Sequence, residues 1–199
     1  MEGDVRRICV FLGSNYGTLP EYTEAARGLG RELARRGLGL VYGGACVGLM
    51  GELADAALGA GGEVTGVMPR ALVDKELAHT GLTDLRVVET MHERKALMAE
   101  LADGFVAMPG GLGTLEEIFE VLTWAQLGFH GKPCGLLDVR GYYRSLALFL
   151  DHITGQGFVM PAHREMILVD EDPGLLLERF ARYRPVVRDK WALRPRGAA

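Results

Sequence analysis

The stretch Gly104-Phe105-Val106-Ala107-Met108, continued by Pro109-Gly110-Gly111-Leu112-Gly113-Thr114-Leu115-Glu116-Glu117, decides how this chain is read. Its first five residues form an apolar run suited to a buried strand. Ile118, Val121, Leu122 and Ala125 then recur at helical spacing. A strand, a glycine-rich turn and a helix start, in that order, present unpaired backbone N–H groups at the positive end of a helix. Such an arrangement holds anions, most often phosphate. Glu116 and Glu117 add a pair of carboxylates at the start of that helix. A phosphate cradle beside a carboxylate points to chemistry on a phosphorylated metabolite.

Working outward, the same alternation of short apolar runs and longer amphipathic runs fills the chain. Strands are predicted over residues 8–12, 38–42, 63–68, 85–88, 105–108, 134–138 and 167–169. Helices are predicted over 20–36, 49–59, 92–102, 115–128, 142–156 and 173–183. Near-continuous apolar strands alternating with helices imply a parallel sheet covered on both faces. Right-handed crossovers make it a doubly wound, Rossmann-like α/β fold. No linker or repeat interrupts it. One nucleotide-binding domain is expected over residues 1–190, with a loose tail over 191–199.

In such sheets ligands bind beyond the carboxyl ends of the strands. Three loops fall there: Gly13-Ser14-Asn15, the segment over residues 43–48 that begins Gly43-Gly44, and the Pro109-Gly110-Gly111 turn. Together they outline a nucleotide-sized crevice, with Gly13, Ser14, Gly43, Gly44 and Gly110 as candidate substrate contacts. None of them is a GxGxxG fingerprint, and GxxxxGK[ST] is absent. Dinucleotide-cofactor binding and P-loop ATPase chemistry are therefore disfavoured. Tight βα turns alone would also account for these glycines.

The composition is that of a soluble globular chain: 199 residues, 48% hydrophobic and 24% charged. A net charge of -4 gives no reason to expect nucleic acid or an anionic membrane as a partner. No apolar run approaches the roughly 20 residues of a membrane helix. The acidic start, Met1-Glu2-Gly3-Asp4, lacks a signal-peptide core. Cys9, Cys46 and Cys134 show no CxxC spacing and read as reduced, mostly buried thiols of a cytoplasmic protein. His79, His92, His130, His152 and His163 are scattered without ligand spacing, so no metal is expected. Ser14 has no GxSxG elbow. Trp124 and Phe119 fall on a helix, as core or interface residues.

Two local patterns carry competing readings. Thr114-Leu115-Glu116-Glu117 fits a capping box, with Thr114 as N-cap and Glu117 three residues on. Helix chemistry alone would then explain Glu117, although a cap does not require the preceding double glycine. Thr90 and Glu93 fit a second box, followed by Arg94 and Lys95. Cations there oppose the helix dipole. They are either a solvated pair answering nearby acids, or Arg94 reaches into the crevice to hold a phosphate or sugar.

Taken together, Met91-His92-Glu93-Arg94-Lys95 and Pro109-Gly110-Gly111-Leu112-Gly113-Thr114-Leu115-Glu116-Glu117 resemble the LOG (Lonely guy) family, the cytokinin riboside 5'-monophosphate phosphoribohydrolases. The similarity runs from the Ser14 loop to Gly141-Tyr142-Tyr143 and includes Leu122-Thr123-Trp124-Ala125-Gln126-Leu127-Gly128. The resemblance implies hydrolysis of the N-glycosidic bond of an adenosine 5'-monophosphate, often modified on the exocyclic nitrogen. The products would be free base and ribose 5-phosphate. It implies Arg94 and Glu117 as the catalytic pair. Lys95, Gly111, Leu112, Gly113, Thr114, Leu115 and Glu116 match the substrate-binding stretch, with Glu76 and Thr123 as further contacts. Leu112 stands where the family often has an aromatic residue. A homodimer with its site near the interface is implied, and no cofactor. Relatives are sometimes labelled lysine decarboxylases, which would need a pyridoxal phosphate Schiff base. Lys75, Lys95, Lys132 and Lys190 sit in no motif for it. The alternative is a carrier or sensor of nucleotide-like molecules on the same fold, or a general AMP nucleosidase.

Overall fold

A computed structural model describes residues 5–75 and 77–185. Glu76, the acidic N-terminal residues and the expected tail over 191–199 lie outside that range. Seven strands, β1 (Arg7–Phe11), β2 (Gly39–Tyr42), β3 (Val64–Pro69), β4 (Asp84–Val88), β5 (Gly104–Ala107), β6 (Cys134–Leu137) and β7 (Ile167–Asp170), pair in the order β4-β3-β2-β1-β5-β6-β7. Every pairing is parallel. The order reverses between β1 and β5, so this is the doubly wound arrangement expected, with its switch point beside β1.

Strand alternation divides the core. Ile8, Val10 and Leu12 face one layer, and Cys9 and Phe11 face the other. The first layer holds α1 (Pro20–Arg35), α2 (Gly48–Gly59) and α8 (Pro173–Ala181). The second holds α4 (Met91–Leu101), α5 (Leu112–Gln126) and the start of α6 (Arg144–Gly155). Two single turns, α3 (Arg70–Val73) and α7 (Pro161–Arg164), are too short to leave a periodic signal in the sequence. Cys9 and Cys134 are buried free thiols and Cys46 is an exposed one, in line with the mostly buried set expected.

Two helix starts differ from expectation. Helix α5 begins at Leu112, three residues before the predicted 115, with Gly111 in the N-cap position and no side-chain cap. Thr114 is therefore not the cap. It lies inside the first turn, buried, with its hydroxyl under Gly110. Gly111 takes the extended N-cap conformation that Thr114 would otherwise supply. Helix α6 begins at Arg144 rather than 142, because residues 139–141 form a 3-10 turn with left-handed backbone at Arg140 (φ 56°) and Gly141 (φ 72°). Thr90 does cap α4: its hydroxyl accepts the Glu93 N–H at 3.1 Å, while the Glu93 carboxylate reaches back past the cap to the N–H of Glu89 at 2.9 Å, a displaced form of the expected box.

Candidate active site

The three glycine loops meet at the carboxyl edge of the sheet. The Gly13 N–H donates to the Pro109 carbonyl at 3.1 Å, joining the loops that follow β1 and β5. Gly48 packs on the Ser14 backbone so tightly that a Cβ would sit 2.2 Å from its carbonyl oxygen. Its φ of +58° also excludes most side chains. Beside these contacts lies a recess lined by Ser14, Asn15, Tyr16, Tyr22, Leu49 and Tyr142 together with the Pro109-Gly110-Gly111 turn.

On the other side of the turn stands a shielded pair of opposite charges, one from each motif. Arg94 sits in the first turn of α4, just past the Thr90 cap, and Glu117 one turn and a half into α5. The closest Arg94 Nη1 to Glu117 Oε1 distance is 3.8 Å, and each side chain is 12% exposed. The Arg94 Nε donates to the Val67 carbonyl of β3, at 3.0 Å. Its Nη2 lies against Gly43, where a Cβ would be only 1.9 Å away. Gly43 is thus glycine because the guanidinium occupies the space of a side chain.

At 3.8 Å the ion pair is too long for a good hydrogen bond. Burial accordingly dominates Glu117 and pushes its carboxyl above the usual range. Arg94 pulls it back, Glu116 raises it again, and Lys95 opposes that. The charge reaches the sheet below: Cys9 on β1, fully buried, is raised first by burial and then by Glu117. A shielded carboxyl of raised pKa beside a fixed cation is the kind of group that serves acid, base or charge-stabilising roles.

The other expected contacts divide. Lys95 and Glu116 bond to each other, and Lys95 also reaches Glu120 at 3.0 Å. They brace α4 to α5, so Lys95 is spent on nearby acids, whereas Arg94 lies against Gly43 and pairs only loosely with Glu117. Thr123 is exposed and its hydroxyl donates to the Phe119 carbonyl of its own helix at 2.7 Å. Gly44 is buried, and its carbonyl accepts the His79 N–H. Leu115 packs into the second core layer. Leu112 is 86% exposed, and Gly111 and Gly113 beside it have open space around them. The uncapped α5 start therefore faces outward with its amides accessible to a ligand. The Lys132 amine donates to the Ala99 carbonyl at 2.8 Å, so neither Lys95 nor Lys132 presents a free amine to the crevice.

Sequence reasoning missed Tyr142, Tyr143, Tyr22 and Leu49. The doublet Tyr142-Tyr143 was visible, but its aim depends on the left-handed turn before it. The Tyr142 hydroxyl donates to the Gly110 carbonyl and the Tyr143 hydroxyl to the Met108 carbonyl, both at 2.6 Å.

Comparison with known proteins identifies the family. Residues 50–180 match a protein family described as "Possible lysine decarboxylase". A Rhodococcoides fascians protein named cytokinin riboside 5'-monophosphate phosphoribohydrolase is 53% identical over 168 residues, covering 84% of this chain and 85% of its own. A protein of Oryza sativa subsp. japonica with the same name, qualified as probable, is 49% identical over 181 residues, covering 91% of this chain and 80% of its own. Among solved structures, the molybdenum cofactor binding protein of Rippkaea orientalis superposes with a TM-score of 0.66 at 21% identity, covering 88% of this chain and 95% of its own. At that identity it speaks to the fold alone. With such identity over most of both chains, this chain belongs to the LOG family of cytokinin riboside 5'-monophosphate phosphoribohydrolases.

Proposed function

We propose that this protein hydrolyses the N-glycosidic bond of an adenosine 5'-monophosphate, modified or not on its exocyclic nitrogen, to free base and ribose 5-phosphate. The observation that carries the reading is the shielded Glu117–Arg94 pair at 3.8 Å beside the uncapped start of α5.

Loss of a base from ribose develops positive charge on the sugar in an oxocarbenium-like transition state. The Glu117 carboxylate stabilises that charge or takes a proton from the attacking water. Its loose pairing with Arg94 leaves carboxylate lone pairs for the sugar or the water. Arg94 stays protonated throughout and so is no proton donor. It orients substrate and balances the carboxylate. The amides of Leu112 and Gly113 at the α5 start take the 5'-phosphate, with Gly13, Ser14 and Gly110 shaping the adjoining wall. Anchoring the phosphate fixes the anomeric carbon in reacting geometry. Lys95 and Glu116 act by holding α4 against α5, and the roles of Glu76 and Thr123 are substrate contacts proposed from the family pattern.

A homodimer accompanies this reading. Leu112, Leu127 and Phe129, exposed by 86%, 41% and 75%, leave apolar surface at both ends of α5. Sedimentation of the purified chain reads the assembly directly. The free thiols of Cys9, Cys46 and Cys134 suit the reducing cytoplasm.

The deciding experiment incubates the protein with AMP and with N6-isopentenyl AMP and follows free base by chromatography. Base release supports the reading, and the ratio of the two rates separates a cytokinin-forming enzyme from a general AMP nucleosidase. Intact nucleotide in both incubations would instead make the protein a carrier.

A further inference from the structure

The end of β6 is bent in a way that serves the glycine turn. Arg140 and Gly141 are both left-handed, with φ of 56° and 72°. A non-glycine residue there is uncommon and is held by its surroundings. Directly after them, the Tyr143 N–H donates to the Asp138 carboxylate at 2.6 Å, closing the bend. The bend aims two consecutive tyrosines at the backbone of one turn. Tyr143, buried, grips the Met108 carbonyl, and Tyr142, 41% exposed, grips the Gly110 carbonyl. The Tyr142 ring is itself wedged edge-on between Tyr22 and Tyr143, at centroid distances of 5.7 Å and 5.0 Å.

The Gly110 carbonyl belongs to the same peptide unit as the Gly111 N–H. In a trans peptide the two point in opposite directions, and none of the peptide bonds described is cis. Flanked by two glycines, this unit has no Cβ on either side to resist rotation. Pro109 before it contributes no N–H. Packing does not hold Gly111 either, since a Cβ there would touch nothing within 4 Å. Gly110 itself is packed, with Thr114 and the Gly13 N within 3 Å of where its Cβ would lie, so one end of the unit is fixed in place. The hydrogen bond from Tyr142 fixes the rotation of the unit, and with it the direction of the Gly111 N–H.

We propose that Tyr142 is a positioning residue that locks the Gly110–Gly111 peptide so that the Gly111 N–H joins the amides of Leu112 and Gly113 in recognising the substrate phosphate. The inference rests on the proposed nucleotide-hydrolase reading and adds the residue that sets preference for a phosphorylated sugar. The Tyr142 hydroxyl touches no substrate. It acts through the backbone it holds.

The test is Tyr142→Phe in the full chain, which keeps the ring between Tyr22 and Tyr143 and removes only the hydroxyl. Loss of one ordinary hydrogen bond corresponds to about a three- to ten-fold change. Calorimetric titration with ribose 5-phosphate should show an affinity weakened by that factor, and titration with adenine an unchanged one. With AMP as substrate, KM should rise by a similar factor while kcat stays within about two-fold, and the Tm should hold within a few degrees. A partly exposed hydroxyl is a mild deletion, so the variant folds. Wild-type ribose 5-phosphate affinity in the variant, or equal loss for ribose 5-phosphate and adenine, overturns the proposal. So does failure of the wild-type protein to bind ribose 5-phosphate. Should the wild-type protein bind ribose 5-phosphate but release no base from AMP, the nucleotide-hydrolase reading falls, while the titration still decides the role of Tyr142.

Discussion

Replacing Gly43 by alanine tests the site without touching a group that does chemistry. The new methyl would lie 1.9 Å from Arg94 Nη2 and 3.2 Å from its Cζ, while Met50 Sδ at 3.4 Å is in ordinary contact. Gly43 is not left-handed, so the backbone accepts alanine. The whole strain therefore falls on the guanidinium, which must retreat by roughly 1.5 Å to reach van der Waals distance. That retreat breaks the 3.0 Å bond to the Val67 carbonyl and changes the 3.8 Å spacing to Glu117. A charge-assisted bond of this kind contributes about 1.5–3 kcal/mol, some of it recovered as the guanidinium turns to water. The Tm should fall by about 2–6 °C in a chain of this size. Misplacement of a catalytic group by an ångström costs roughly 10²-fold in rate, so kcat/KM for base release should fall by about two decades in a protein that is still folded. Gly28→Ala supplies the control. That glycine lies inside α1 with nothing within 4 Å of its missing Cβ, and alanine there should raise stability by about 0.5–1 kcal/mol with activity unchanged. A folded Gly43→Ala protein with activity within a few-fold of wild type would refute the reasoning.

Three further outcomes follow from the same geometry. Glu117→Gln should lower base release by about 10²–10⁴-fold, and near-normal turnover would remove Glu117 from the chemistry. Because burial raises the Glu117 carboxyl, the folded protein binds its proton more tightly than the unfolded chain. Its ionisation then erodes stability as pH rises from the unfolded value near ~4.3 through the folded one. Glu117→Gln should consequently melt higher than wild type at neutral pH, with the gap closing toward pH ~4. Arg94→Ala should lower kcat/KM by about 10²–10³-fold. It should also shift the acid limb of the residual activity to higher pH, since the cation that lowers the Glu117 carboxyl is gone. An unmoved limb would mean that Glu117 is not the titrating group.

The sheet was legible because its signal is local. Ile8, Val10 and Leu12 alternate with Cys9 and Phe11 in a run buried on both sides, and the turn residues after each strand mark its end. The start of α5 was misread because Thr114-Leu115-Glu116-Glu117 satisfies the capping pattern, while the backbone uses the extended Gly111 instead. A pattern reports what a side chain could do, and here burial of Thr114 against Gly110 prevented it. Arg94 and Glu117 could be named from their motifs, but their approach to 3.8 Å depends on α4 and α5 packing side by side. The pairing of Lys95 with Glu116 and Glu120 is of the same kind, made across 21 and 25 residues of chain. The grip of Tyr142 and Tyr143 was out of reach of sequence reasoning, because a left-handed arginine at 140 has no signature in composition or period.

The place of β1 and β5 at the middle of seven strands has one more consequence. Each is hydrogen-bonded on both sides, and the loops that carry Gly13 and Pro109 leave directly from their ends. Amides in such strands exchange with solvent only when the whole domain opens. The floor of the crevice therefore has no low-energy excursion of its own, and its loss on heating should coincide with global unfolding. Whatever motion admits and releases a ligand is left to the elements above that floor: the outward start of α5, the Tyr16–Tyr22 side of the recess and the bend before Tyr142.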